Sequence, residues 1–155
     1  MSSVYRDFFG KRIDSITNSH SSCIQFSFVE KSLEIEIPCF LDIVYCEWVL
    51  KKTSETIIIS NDDNLADRLI VLKDQSIDSI KSVIFMGDSE KGSGDLSAGI
   101  QIAIRFSGGF VLLAYPHAWK SDVRDEMAES RVIQLSSATG FIIYSANGEV
   151  KFVTR

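Results

Sequence analysis

The sequence predicts a β-dominated α+β domain, built as antiparallel sheet or a half-open barrel with two or three short helices. Three observations predict it. Apolar and polar residues alternate over residues 24–28, 33–37 and 100–106, the two-residue period of a half-buried strand. Turn signals separate such runs, above all Gly108-Gly109 and Asn147-Gly148. The tetrapeptide Ile-Asp-Ser-Ile occurs at residues 13–16 and again at 77–80, each time ahead of a strand pair.

In chain order, Ser3 can cap a short helix carrying Val4, Tyr5, Phe8 and Phe9, which Gly10 closes. Residues 11–16 read as a strand and 18–22 as a polar turn. Residues 24–28 and 33–37 then form an expected hairpin, Phe28 facing Leu33 and Phe26 facing Ile35. Residues 40–50 are apolar on both faces, the mark of a central strand or a buried short helix, and 56–60 form a strand.

A second helix candidate over residues 63–72 aligns Leu65, Leu69 and Leu72, with Asp62 or Asp63 as N-cap. After the second Ile-Asp-Ser-Ile, an insertion over residues 83–95 precedes the hairpin 98–116. A type I′ turn at Gly108-Gly109 would set Phe106 opposite Val111, Ile104 opposite Leu113 and Ile102 opposite Tyr115. Ser121 can cap a helix bearing Val123 and Met127, residues 132–135 parallel 56–60, and a last hairpin turns at Asn147-Gly148. Residues 24–38 align with 102–116 without a gap, so the chain reads as one domain, 1–155, with pseudo-repeat halves of about 1–62 and 63–139 and a C-terminal hairpin, 140–155.

At 155 residues the chain can bury one core without disulfide or metal staples. Its start has no basic segment leading into an apolar run, and no run reaches membrane-spanning length. The three cysteines, Cys23, Cys39 and Cys46, form no Cys-x-x-Cys pair and read as buried free thiols in a reducing cytoplasm. Net charge is −5, and residues 62–99 hold eight acids (Asp62, Asp63, Asp67, Asp74, Asp78, Asp88, Glu90, Asp95) against four bases. That bias argues against nucleic acid, which demands a basic stripe, and favours a basic partner.

Catalytic options are few. His20 sits in a polar turn, and His117 has Asp122, Asp125 and Glu126 near it but no second histidine at ligand spacing. Asp14 and Asp78 stand at equivalent points, yet without the Asp-Thr-Gly context of aspartyl chemistry they read as solvated. The glycines of residues 87–99 are mixed with acids that would repel phosphate. Neither an enzyme nor a cofactor or metal site is therefore expected. Phe26, Phe28, Tyr45, Trp48, Phe106 and Tyr115 could line a barrel cavity for an apolar ligand, although core packing accounts for them equally well.

The opening helix, Phe9-Gly-Lys-Arg-Ile-Asp-Ser-Ile16 and the alternating runs 24–28 and 33–37 resemble the start of small β-rich immunity proteins. Those accompany bacterial polymorphic toxins, including toxins of contact-dependent growth inhibition. The resemblance spans about the first forty residues, and again 72–116, and it rests on rhythm rather than on a diagnostic motif. It implies a cytoplasmic, non-catalytic protein that neutralises a cognate toxin domain, often a basic nuclease, by direct contact. The acids Asp62, Asp63, Asp67, Asp88, Glu90 and Asp95 are then the expected partner-binding residues, since acids can occupy a nuclease's phosphate site. An open sheet edge would admit a homodimer. The competing readings are a ligand-binding β-barrel and another type of interaction domain.

Overall fold

The computed structural model describes residues 3–20, 23–29, 39–86, 98–115, 132–145 and 149–155. In order these form α1 (Ser3–Phe8), β1 (Arg12–His20), β2 (Cys23–Val29), β3 (Cys39–Val44), β4 (Glu47–Lys52), β5 (Glu55–Ile59) and α2 (Leu65–Arg68). A 3₁₀ turn (Leu69–Leu72) continues α2, and β6 (Ile77–Met86), β7 (Ala98–Phe106), β8 (Phe110–Tyr115), β9 (Val132–Ser136), β10 (Gly140–Ser145) and β11 (Val150–Thr154) follow. They make two antiparallel sheets, one of six strands in the order β1-β2-β3-β9-β10-β11 and one of five, β5-β4-β8-β7-β6. Among the described residues neither sheet closes into a barrel, and the fold is α+β and β-dominated.

The inward faces share one core. Phe26, Phe28, Leu41, Ile133, Leu135 and Ile142 of the larger sheet and Trp48, Leu50, Ile58, Ile102, Ile104, Phe106 and Leu112 of the smaller belong to a single buried cluster. Each such side chain, removed from water, contributes about 1.5–3 kcal/mol. Four of the six aromatics considered as a cavity lining, Phe26, Phe28, Trp48 and Phe106, are packed inside this cluster. The hydroxyls of Tyr5 and Tyr144 meet in a hydrogen bond, which ties α1 to β10.

The two sheets are built alike at the level of register. Ile13 faces Phe28 and Ile16 faces Phe26, just as Ile77 faces Phe106 and Ile80 faces Ile104. In both strands the register slips at the aspartate of Ile-Asp-Ser-Ile, so Asp14 and Asp78 are bulge residues turned to solvent, in different sheets. The likeness extends upstream. The amide of Phe9 donates to the Arg6 carbonyl and that of Lys11 to Phe8, matched by Lys73 to Ile70 and Gln75 to Leu72. Gly10 and Asp74, each just beyond its helical segment, both take positive φ (81° and 66°). Arg12 and Ser76 stand at the same point of the two repeats and bridge each other, so the two-fold relating them runs between these residues.

Several expectations need correction. Both sides of β2 are occupied, by β1 and by β3, so residues 33–37 are not its hairpin partner; they lie outside the described residues. The gapless alignment of 24–38 with 102–116 therefore holds only for its first strand. The hairpin β7–β8 pairs Ile102 with Ala114 and Ile104 with Leu112, one residue away from the expected register. Its connection has three residues, closed by a Gly109 amide to Phe106 carbonyl bond, and only Gly109 of the glycine pair takes positive φ (83°). That is a type I turn followed by a left-handed residue, not type I′. The slip puts Phe110, Leu112 and Ala114 inside and leaves Val111, Leu113 and Tyr115 on the outer face. The type I′ geometry instead falls at Thr53-Ser54, both at positive φ (51° and 73°), between β4 and β5.

Residues 40–50 are two strands, broken at Tyr45, which takes φ 54°. The expected polar turn 18–22 is mostly strand, since β1 runs to His20. Residues 83–86 of the supposed insertion simply prolong β6, which pairs with β7 out to Met86 and Ala98. Strand β9 corresponds to β4 rather than to residues 56–60: Leu135 faces Leu41 as Leu50 faces Leu112. Each half thus sends its later strands to the other half's sheet. In the last hairpin the Ser145 amide donates to the Glu149 carbonyl, while Asn147-Gly148, the helix expected near Ser121, His117 and residues 87–97 lie outside the described residues.

Candidate partner-binding surface

The surface of interest starts with a helical period. In a 3₁₀ turn residues three apart eclipse, so Leu69 and Leu72 bury together and the residues between them face outward. Those residues are Ile70 and Val71, 62% and 46% exposed. Extending the shift that carries Ile13 onto Ile77 places Arg6 and Asp7 at the same points of the first repeat. There the side chains are polar and Asp7 is fastened: its Oδ2 accepts from Ser137 Oγ (2.7 Å) and Thr139 Oγ1 (2.6 Å) in the β9–β10 turn. Burial pushes the Asp7 carboxyl up, but those hydroxyls, the Lys11 charge and the Thr139 amide outweigh it and hold the group below the ordinary carboxylate range. The second repeat has apolar side chains where the first has a polar clasp.

Exposed acids surround Ile70 and Val71 in sequence: Asp63, Asp67 and Asp74, with Asp78 on the bulge of β6. Of the six acids expected to bind a partner, the structure brings together Asp62, Asp63 and Asp67 within one segment, whereas Asp88, Glu90 and Asp95 lie outside the described residues. Asp62 is not available in the expected way. It does not cap α2, whose N-cap is Asn64 in a left-handed conformation without a side-chain bond. Its Oδ2 instead accepts from the Ile59 amide (2.9 Å) and from Arg68 Nη1 (2.9 Å), while Arg68 Nη2 donates to the Ile57 carbonyl (3.0 Å). The outward side of this segment thus carries an apolar pair with exposed acids before and after it in the chain.

The other reactive groups read as structural. The three cysteines are buried thiols. Lys11 Nζ lies 3.0 Å from Cys39 Sγ, yet burial, the larger effect, keeps that thiol above its usual range and so unreactive. On the outer face of the larger sheet, burial raises the Asp42 carboxyl, partly offset by Gln25 Nε2 donating at 2.8 Å. Among the described residues no three His, Cys, Asp or Glu side chains gather to hold a metal, and no helix is long and apolar enough to cross a membrane. Comparison with protein-family models, with curated proteins and with solved structures gives no match.

The sequence reading did not single out Ile70 and Val71, although its helix over residues 63–72 set Leu65, Leu69 and Leu72 on one face and left this pair off it. The signal lay in the repeat: carried upstream of Ile13, it sets this apolar pair against Arg6 and Asp7.

Proposed function

We propose that this chain is a non-catalytic binding protein that neutralises a cognate bacterial toxin domain by direct contact. The partner is a basic domain, a nuclease by the resemblance described above. The observation that carries the reading is the exposed Ile70–Val71 pair, standing where the other repeat has a fastened aspartate, with the exposed acids Asp63, Asp67 and Asp74 before and after it in the chain. The apolar pair supplies affinity by burial, and the acids steer a basic partner toward it. Asp62 is excluded from the contact because its carboxylate is engaged within the fold.

The test is co-expression with toxin domains encoded beside this chain, followed by capture and kinetics. Neutralisation and a stable complex are expected. Replacing both Ile70 and Val71 by Asp should weaken the complex by roughly 2 kcal/mol or more, expressed in the off-rate. Reversing Asp63 and Asp67 to Lys should slow association and flatten its salt dependence. Unchanged binding by the Ile70/Val71 variant, or no neutralised toxin at all, sinks the reading.

A further inference from the structure

We propose that the Asp62–Arg68 pair guards the outer edge of β5, and that its loss lets β5 pair with β5 of a second copy of this chain. Among the described residues β5 is the last strand of its sheet, so one row of its main-chain groups has no described strand beside it. Two groups of that row are covered by side chains. Arg68 donates to the Ile57 carbonyl as a strand amide would, and Asp62 accepts from the Ile59 amide as a strand carbonyl would. The ion pair between them, 2.9 Å, joins both halves into a single cover. In the sister sheet the corresponding place is filled by real chain: Ile142 faces Leu135 as Ile58 faces Leu50, and β11 pairs along the far side of β10.

The occupant follows from β5 itself. Residues 56–59, Thr-Ile-Ile-Ile, are uncharged and β-branched, the composition that pairs most readily with its own kind. Ile57 is the extra residue of a bulge, since Leu50 faces Ile58 and Lys51 faces Thr56; antiparallel self-pairing about this point sets Glu55 opposite Ile59 of the other copy, so no like charges meet. It also covers Ile59, which is 39% exposed. The arrangement is two-fold symmetric and closes on itself as a dimer.

The experiment compares the parent with Arg68→Ala and Asp62→Ala by sedimentation and circular dichroism, each with and without Ile57→Cys. The parent should stay monomeric and both variants should double in mass with their strand signal intact. In copies paired about this point the two introduced thiols would stand opposite each other across the two-fold, so mild oxidation should link the variants and not the parent. Folded monomers at every concentration at which the parent is soluble would overturn the proposal. So would a dimer that the introduced thiols fail to link, or loss of the strand signal, since a guard is dispensable to the fold. Binding of a peptide spanning residues 149–155 to a monomeric Arg68→Ala chain would also overturn it, assigning the edge to a β11-like strand instead.

Discussion

Asp7 and Val71 occupy the same point of two repeats related by the shift from Ile13 to Ile77, yet Asp7 is held by two hydroxyls and Val71 lies nearly half exposed. The backbone around them is the same: equivalent amide–carbonyl bonds, an equivalent positive-φ residue, and a buried Phe8 matched by a buried Leu72. What differs is the facing turn. Ser137 and Thr139 belong to a three-residue connection that presents donors to Asp7, whereas β4 and β5 are joined by the two residues Thr53 and Ser54. Register preserves the frame of a repeat, because one slipped residue would turn a whole strand inside out. Outward-facing positions carry no such constraint, and there one repeat has fastened itself while the other presents an apolar surface.

The strongest way to break this comparison is through the core. Phe28 and Phe106 are 0% and 2% exposed at matched positions, so replacing either by Ala should cost about 3–5 kcal/mol in chemical denaturation. Phe28 also meets the Phe8 ring edge-on, centroids 5.4 Å apart, and its loss should be the costlier by roughly 0.5–1.5 kcal/mol. A small effect at either position would end the equivalence.

Asp7→Ala is next. It leaves the buried Ser137 hydroxyl without its acceptor and should cost about 1–3 kcal/mol at neutral pH. The folded-state carboxyl titrates below its unfolded value, so its contribution is full above the unfolded value and lost as pH falls through the folded one. The gap between parent and variant, measured by denaturation across acid pH, should close in that window and not above it. A gap unchanged by pH would assign the effect to packing rather than to the carboxylate.

The smallest effect sharpens the comparison of turns. Thr53 and Ser54 hold left-handed conformations that Asn and Gly adopt at less cost. The double substitution Thr53→Asn, Ser54→Gly should raise stability by roughly 0.5–1 kcal/mol, read as a higher melting temperature with the β4–β5 pairing unchanged. No gain would mean that side-chain contacts of these residues compensate for the backbone.

The strands and the repeat were legible because alternation and an identical tetrapeptide are properties of short stretches. Ile24, Phe26 and Phe28 were placed correctly against Ile102, Ile104 and Phe106. The register beyond Gly108-Gly109 was not, since a glycine pair permits positive φ at two positions without requiring it. Nor was the neighbour of each strand: alternation fixes which face of β2 is buried, not whether β3 or a later segment lies beside it. Asp62 misled for a similar reason. A carboxylate ahead of a helix can cap it, but here the unpaired amide of an edge strand captures the same oxygen. Of the proposed surface, the acids could be read from composition, and the helical face of Leu65, Leu69 and Leu72 already left Ile70 and Val71 off the core; what alternation and periodicity did not supply was the contrast with Arg6 and Asp7 in the other repeat.

The exchange of strands between the halves sets the order in which this chain can assemble. Strand β3 emerges early, yet the neighbour on its far side, β9, is made only after the whole second hairpin. Most of the chain must leave the ribosome before the larger sheet is complete, and its pairings span distant segments, which makes for slow folding with long-exposed intermediates. The same interlacing makes the halves inseparable. Residues 1–62 and 63–155, produced as separate chains, would each lack strands on which their sheets depend, and mixing the two would restore the fold in a way that adding back a detached domain never does.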